Sequence, residues 1–163
     1  MNTHMNKFVV NASPIISLCA IDRIDILLHQ ADVLIITEGV RDEITAHPDK
    51  TDPAIKWISE LPLFHVVTVD LRIAAWDLGK GESEVLSYCI NNEGHIAVID
   101  DLAARKCAAA FGTKAIGTIS LILTAKKLNI IPSVKPILVL LRNNGFRIKD
   151  ELFATCLKIA KED

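Results

Sequence analysis

Oxygen-bearing side chains recur just after short apolar runs in this chain. Asn11 and Ser13 follow Phe8-Val9-Val10, and Asp42 and Glu43 follow Val33-Leu34-Ile35-Ile36 by a few residues. Glu82 and Glu84 open a helix-like stretch behind Gly79-Lys80-Gly81. Asp100 and Asp101 follow Ile96-Ala97-Val98-Ile99, and Gly117 and Thr118 follow Lys114-Ala115-Ile116. Crowded carboxylates repel one another unless a cation neutralises them, and Mg²⁺ and Mn²⁺ are hard ions that prefer such oxygens. An ion held there polarises a phosphate and activates a water for attack on a phosphodiester.

Each residue also has an ordinary explanation. Glu82 and Glu84 fall in a first helical turn, where the helix dipole favours negative charge. Asp101 and Thr118 suit helix N-caps, Asn11 and Ser13 suit a turn, and Glu43 suits a solvated helix face. Convergence is the argument for chemistry: these groups fall at the same end of successive strand candidates.

Other chemistries find no support. The five histidines are scattered without zinc-ligand spacing, and Gly79-Lys80-Gly81 is not a P-loop. No G-x-S-x-G or Cys/His arrangement marks a hydrolase nucleophile. A receiver-like phosphoryl-transfer domain built on Asp100-Asp101 is a third possibility, disfavoured because such folds place the key aspartate after the first strand. Lys80, Arg105, Lys106, Lys114, Lys126 and Lys127 are the candidate phosphate contacts, with Arg105 and Lys106 one turn beyond the aspartate pair.

The elements that must position these groups read as an alternation of strands and helices. Strands are expected at Phe8–Val10, Val33–Ile36, Phe64–Val69, Ile96–Ile99 and Lys114–Ile116. Ser13 before Pro14, Thr37, and Asp52 before Pro53 carry helix-start chemistry. Helices are expected over residues 15–20, 24–30, 82–91, from Asp101 through Phe111, 118–128, 134–143 and 150–161, with further helices after Thr37 and Asp52. This order predicts an α/β fold of three α/β/α layers, with a central parallel sheet of about five strands and a C-terminal helical hairpin.

The 163 residues suit a single domain spanning 1–163. Half are hydrophobic, which argues against disorder, and a formal net charge of -2 argues against a uniformly basic nucleic-acid face. Cys19, Cys89, Cys107 and Cys156 sit in apolar stretches without C-x-x-C spacing, so reduced core thiols and a cytoplasmic location are expected. No signal peptide or membrane-length apolar run is visible.

Read in order, the motifs resemble the PIN-domain family. Val9-Val10-Asn11-Ala12-Ser13-Pro14-Ile15-Ile16-Ser17-Leu18 resembles its opening strand and turn, and Thr37-Glu38-Gly39-Val40-Arg41-Asp42-Glu43-Ile44 its second motif. Gly79-Lys80-Gly81-Glu82-Ser83-Glu84 resembles the third, Val98-Ile99-Asp100-Asp101-Leu102-Ala103-Ala104-Arg105 the fourth, and Ala115-Ile116-Gly117-Thr118 the fifth. The tail from Val134 to Leu152 is similar to a subgroup of PIN-like proteins from bacteria and archaea. The resemblance implies a Mg²⁺- or Mn²⁺-dependent endoribonuclease acting on RNA, of the VapC type, with a cognate antitoxin protein as partner and a homodimeric assembly. It implies Glu43, Glu82 and Asp100 or Asp101 as metal ligands and catalytic residues; in an active nuclease Asn11 is then expected to assist, Ser13 or Thr118 to position water or phosphate, and Arg105 to hold a phosphate. Asn11 stands where the family's usual aspartate would be. An amide oxygen brings no charge, so the alternative expectation is a catalytically degenerate module that binds RNA or protein.

Overall fold

Four short apolar runs pair into one parallel sheet. The computed structural model describes residues 4–163. In chain order the elements are β1 (Lys7–Val10), α1 (Ala12–Ala20), α2 (Asp25–Leu28), β2 (Val33–Ile35), α3 (Glu38–Thr45), α4 (Pro53–Ser59), α5 (Leu71–Ala74) and α6 (Lys80–Asn91). They continue as β3 (His95–Val98), α7 (Leu102–Ala110), β4 (Ala115–Ile116), α8 (Thr118–Lys127), α9 (Lys135–Asn143) and α10 (Asp150–Ala160).

The sheet order is β2-β1-β3-β4, with every pair parallel. Phe8, Val9 and Val10 are buried in the central strand, facing Ile96, Ala97 and Val98 in register. Such strands lack polar alternation because helices cover both faces. The chain leaves β1 toward β2 and then returns to β3 on the other side. The carboxyl ends of β1 and β3 therefore flank the point where strand order reverses, which is where open α/β sheets bind ligands.

The α/β architecture is as expected, with four paired strands rather than five. Phe64–Val69 forms a single bridge, His65 to Thr37, closed by Glu38 N–H to His65 O at 2.9 Å and His65 N–H to Ile36 O at 2.8 Å. Two causes limit it. The chain beside it turns into α3 immediately, leaving one residue to pair, and Leu63 and Val66 remain 65% and 79% exposed, so no apolar face anchors a longer strand. α5 was not expected; Asp70 starts it by accepting from the Arg72 amide at 2.9 Å. The helix expected over residues 24–30 is shorter, Asp25–Leu28.

Cap chemistry starts three other helices as their sequences suggest. Thr37 accepts from Val40, Asp52 from Ala54, and Asp101 from Ala104. α1 differs: it begins one residue before Ser13, with Asn11 at the N-cap position but making no side-chain cap bond. Pro14 occupies the third helical position and has no N–H to offer, which removes one of the two usual capping donors.

At the C-terminus, Arg142 donates to Ile148 O at 2.8 Å and lies over the Phe153 ring, linking α9 to α10. Glu162 then ties the end of α10 to Lys126 of α8 and to the Val134 amide. All four cysteines are buried and free, and burial pushes the Cys19 and Cys89 thiols up to about 12. Among the described residues, no helix is long and apolar enough to cross a membrane.

Candidate metal centre and nucleic-acid cleft

Asn11 follows the central strand directly, and its amide N–H bonds Val98 O at 3.0 Å across the β1–β3 seam. It is 3% exposed, and its side-chain Oδ1 has no hydrogen-bond partner. A buried amide oxygen without a donor is costly unless something else satisfies it.

Glu43 reaches the same place from α3. A Cβ at position 81 would come within 2.8 Å of Glu43 Oε2 and 3.1 Å of Asn11 Oδ1. Gly81 thus leaves the space in which these two oxygens converge. Glu43 as a whole residue is exposed, yet this carboxylate end is tucked against the α6 backbone. Burial, and then the neighbouring Glu82 charge, raise its pKa above the usual carboxylate value. Glu82 itself turns back to accept from the Gly79 amide at 3.0 Å, so its helix-start role is realised. It stands near Glu43 as a second negative charge.

The two aspartates after β3 differ in their hydrogen-bond partners. Asp100 receives the Thr118 backbone N–H and the Thr118 hydroxyl at 2.8 Å each, and the Ser13 hydroxyl at 3.2 Å. Three donors from two neighbouring strand ends fix this carboxylate beside the switch point. Asp101 spends one oxygen on the α7 cap, accepting from Ala104 N at 2.9 Å. Ser13 is available to Asp100 because it sits inside α1 rather than capping it. The Arg105 guanidinium comes close to Asp100 over Gly117: a Cβ at position 117 would lie 2.9 Å from Asp100 Oδ1 and 3.4 Å from Arg105 Nη1.

Of the other basic candidates, Lys80 precedes Gly81 at the edge of this centre, whereas Lys126 and Lys114 lie away from it. Lys80 pairs with Asp42 at 3.8 Å, and Lys126 with Glu162 at 3.1 Å. Lys114 lines a cavity of about 580 Å³ at the opposite, amino-terminal end of β3 and β4.

Three further residues flank the centre: Glu84, which the sequence marks as a helix-opening carboxylate without a ligand role, and Phe146 and Arg147, which it does not mark at all. Glu84 is 3% exposed, with Oε2 lacking a hydrogen-bond partner, and its carboxyl occupies the space where any residue but glycine at position 39 would place a Cβ. Burial raises its pKa, with the Gly39 amide acting in the opposite sense. The signal was its place three residues after Gly81, hence on the same helix face. Phe146 and Arg147 line two clefts, of about 460 and 420 Å³, that share Asp100. Nothing in their local sequence points to that position.

Among the described residues, no three His, Cys, Asp or Glu side chains are grouped closely enough to form a ready-made ion cage. The oxygens at this sheet edge are instead mixed: the Asn11 amide and the Glu43 carboxylate converge over Gly81, and the Asp100 carboxylate follows the neighbouring strand, joined to α1 through Ser13. The orphaned Asn11 Oδ1 beside a desolvated Glu43 suits a hard divalent cation that retains part of its water shell, since such an ion would satisfy the one and neutralise the other.

Comparison with curated proteins and with solved structures finds no match. A family model described as a PIN domain matches residues 7–162, nearly the whole chain, and the chain therefore belongs to the PIN-domain family of the nuclease superfamily.

Proposed function

We propose that this chain is a Mg²⁺- or Mn²⁺-dependent endoribonuclease whose centre is built from Asn11, Glu43 and Asp100. The observation that carries the reading is the convergence of an orphaned Asn11 Oδ1 and Glu43 Oε2 over Gly81, with Asp100 fixed by Thr118 and Ser13 at the exit of the adjacent strand.

A bound divalent cation would polarise the scissile phosphate and lower the pKa of an attacking water. Asn11, Glu43 and Asp100 would hold it, with Glu82 adding negative charge nearby. Thr118 and Ser13 orient Asp100 and keep its carboxylate from turning away. Arg105 would attract a phosphate to the Asp100 side of the centre. Asp101 contributes through the start of α7, which carries Arg105.

The test is cleavage of single-stranded RNA by purified protein in Mn²⁺ or Mg²⁺. Asp100→Asn and Glu43→Gln should each abolish it while leaving the circular dichroism spectrum intact. Cleavage that persists at wild-type rate in both variants would overturn the assignment.

The toxin role, its antitoxin partner and the homodimer rest on family resemblance. Partly exposed Val139 and Leu140 on α9 give a dimer some apolar surface. Growth arrest on expression and sedimentation of the purified protein test these separately. A second reading, a degenerate module that binds without cutting, is favoured by one observation: Asn11 supplies no charge where a third acidic ligand would strengthen ion binding. Asn11→Asp decides between them, because a large gain in Mn²⁺ affinity accompanied by new cleavage would identify the wild type as the binding form.

A further inference from the structure

The connection between α9 and α10 is built to a fixed shape. Gly145 N–H bonds Arg142 O at 3.2 Å and Phe146 N–H bonds Leu141 O at 3.0 Å, the paired reverse bonds of a Schellman helix end. Gly145 has φ +91, a conformation that favours glycine. The buried Ile148 anchors the chain on the far side. Phe146 and Arg147 are thus held between two anchored points.

These two residues form the common wall of the two clefts beside Asp100. One cleft adds Ser13, Ile16 and Ser17; the other adds Arg105, Ile119 and Leu123. Each therefore combines apolar surface with polar groups. Neither Arg105 nor Arg147 has an ion-pair partner among the described residues, although Arg23, Arg41, Arg72 and Arg142 all do. Both arginines line the cleft that contains Asp100, one from α7 and one from the α9–α10 connection.

We infer that the two clefts are the subsites for the nucleotides on either side of the scissile phosphate, with Phe146 stacking on an unpaired base and Arg147 and Arg105 holding the flanking phosphates. This deepens the nuclease reading and rests on it for the position of the scissile phosphate. Base stacking on an aromatic ring requires a splayed base, so the substrate class is single-stranded RNA or the unpaired part of a folded one. Arginine suits the phosphates because its planar fork donates to two oxygens at once. With few aromatic side chains in the chain, Phe146 acts as one local stacking point rather than part of a platform.

The experiment is fluorescence anisotropy of a fluorescein-labelled decamer of single-stranded RNA, with and without Ca²⁺, run beside Mn²⁺-dependent cleavage. Phe146→Leu keeps apolar packing but removes the ring, and Arg147→Ala changes an exposed residue, so both variants should stay folded. Each should weaken decamer binding about tenfold, the scale of one lost stacking or phosphate contact. Phe146→Trp should bind at least as well as wild type. A duplex of the same sequence should bind about tenfold more weakly than the single strand.

Binding within twofold of wild type in both Phe146→Leu and Arg147→Ala would overturn the inference, as would equal affinity for the duplex or no binding by the wild type. If those variants bind normally while the wild type cleaves, the subsites fall and the nuclease reading stands. If they lose binding but the wild type never cleaves, the nuclease reading falls and the RNA-binding clefts stand.

Discussion

Thr118 donates to Asp100 twice, through its backbone N–H and through its hydroxyl, at 2.8 Å each. The two residues belong to neighbouring strand ends, so this pair stitches the exit of β4 to the exit of β3. A partner that orients a metal-binding carboxylate typically matters by 10- to 100-fold in affinity, roughly the range found for second-layer contacts. Thr118→Val keeps the buried volume and removes one donor. It should weaken Mn²⁺ binding about tenfold by calorimetry, while Thr118→Ser stays close to wild type. Equal Mn²⁺ affinity in Thr118→Val would remove the hydroxyl from any role at the centre.

Asp100 and Asp101 are adjacent, yet the structure gives them different hydrogen-bond partners. Asp101→Ala should cost about 1 kcal/mol of stability through the lost α7 cap. Asp101→Asn should recover it, since asparagine caps well. Both should leave Mn²⁺ binding within threefold of wild type. Asp100→Asn should abolish Mn²⁺ binding with a smaller effect on urea midpoint than Asp101→Ala. The opposite pattern would exchange the roles of the two residues.

These two aspartates also mark how far the sequence could be read. Continuous apolar runs such as Ile96–Ile99 identify buried strands locally, because both faces are covered, and the oxygens after them follow from the parallel topology. The choice between Asp100 and Asp101 needs the position of Thr118, which the sequence places 17 or more residues away. Phe64–Val69 is apolar enough to resemble a strand, but the early start of α3 decides its pairing. Pro14 was visible as a helix-start residue. Its consequence for Asn11 depends on where α1 begins, two residues earlier than Ser13 as an N-cap suggests. Phe146 and Arg147 come to the centre only through the packing of the last two helices, so no local pattern announced them.

Glu162 offers a pH test away from the centre. Burial alone would raise its pKa, but hydrogen bonds from Ser133 and the Val134 amide, together with Lys126, hold it down at about 2. A depressed carboxyl pKa contributes stability above the ordinary carboxylate range and loses it as pH falls toward the folded value. Wild type should therefore exceed Glu162→Gln in urea midpoint at pH 6, and the gap should shrink progressively between about pH 5 and pH 2. A gap that stays constant over that window would mean the contact acts through neutral hydrogen bonding.

Gly39 and Glu84 couple the two helices that meet at Gly81. α3 carries both Gly39 and Glu43, one turn apart, and α6 carries both Gly81 and Glu84. Glu84 fills the space left by the missing Cβ at position 39, so the close approach of α3 to α6 depends on that fit. Gly39→Ala forces the Glu84 carboxyl out of its place and should destabilise by about 1–3 kcal/mol, as overpacking does. Glu84→Ala removes the obstacle. The double variant should then be less destabilised than the sum of the two single changes, with a coupling of about 0.5–3 kcal/mol expected for residues in contact. Since Glu43 rides on the same helix, Gly39→Ala should also weaken Mn²⁺ binding, and the double variant should recover part of it. Strict additivity in urea denaturation would show that the two residues do not hold α3 against α6.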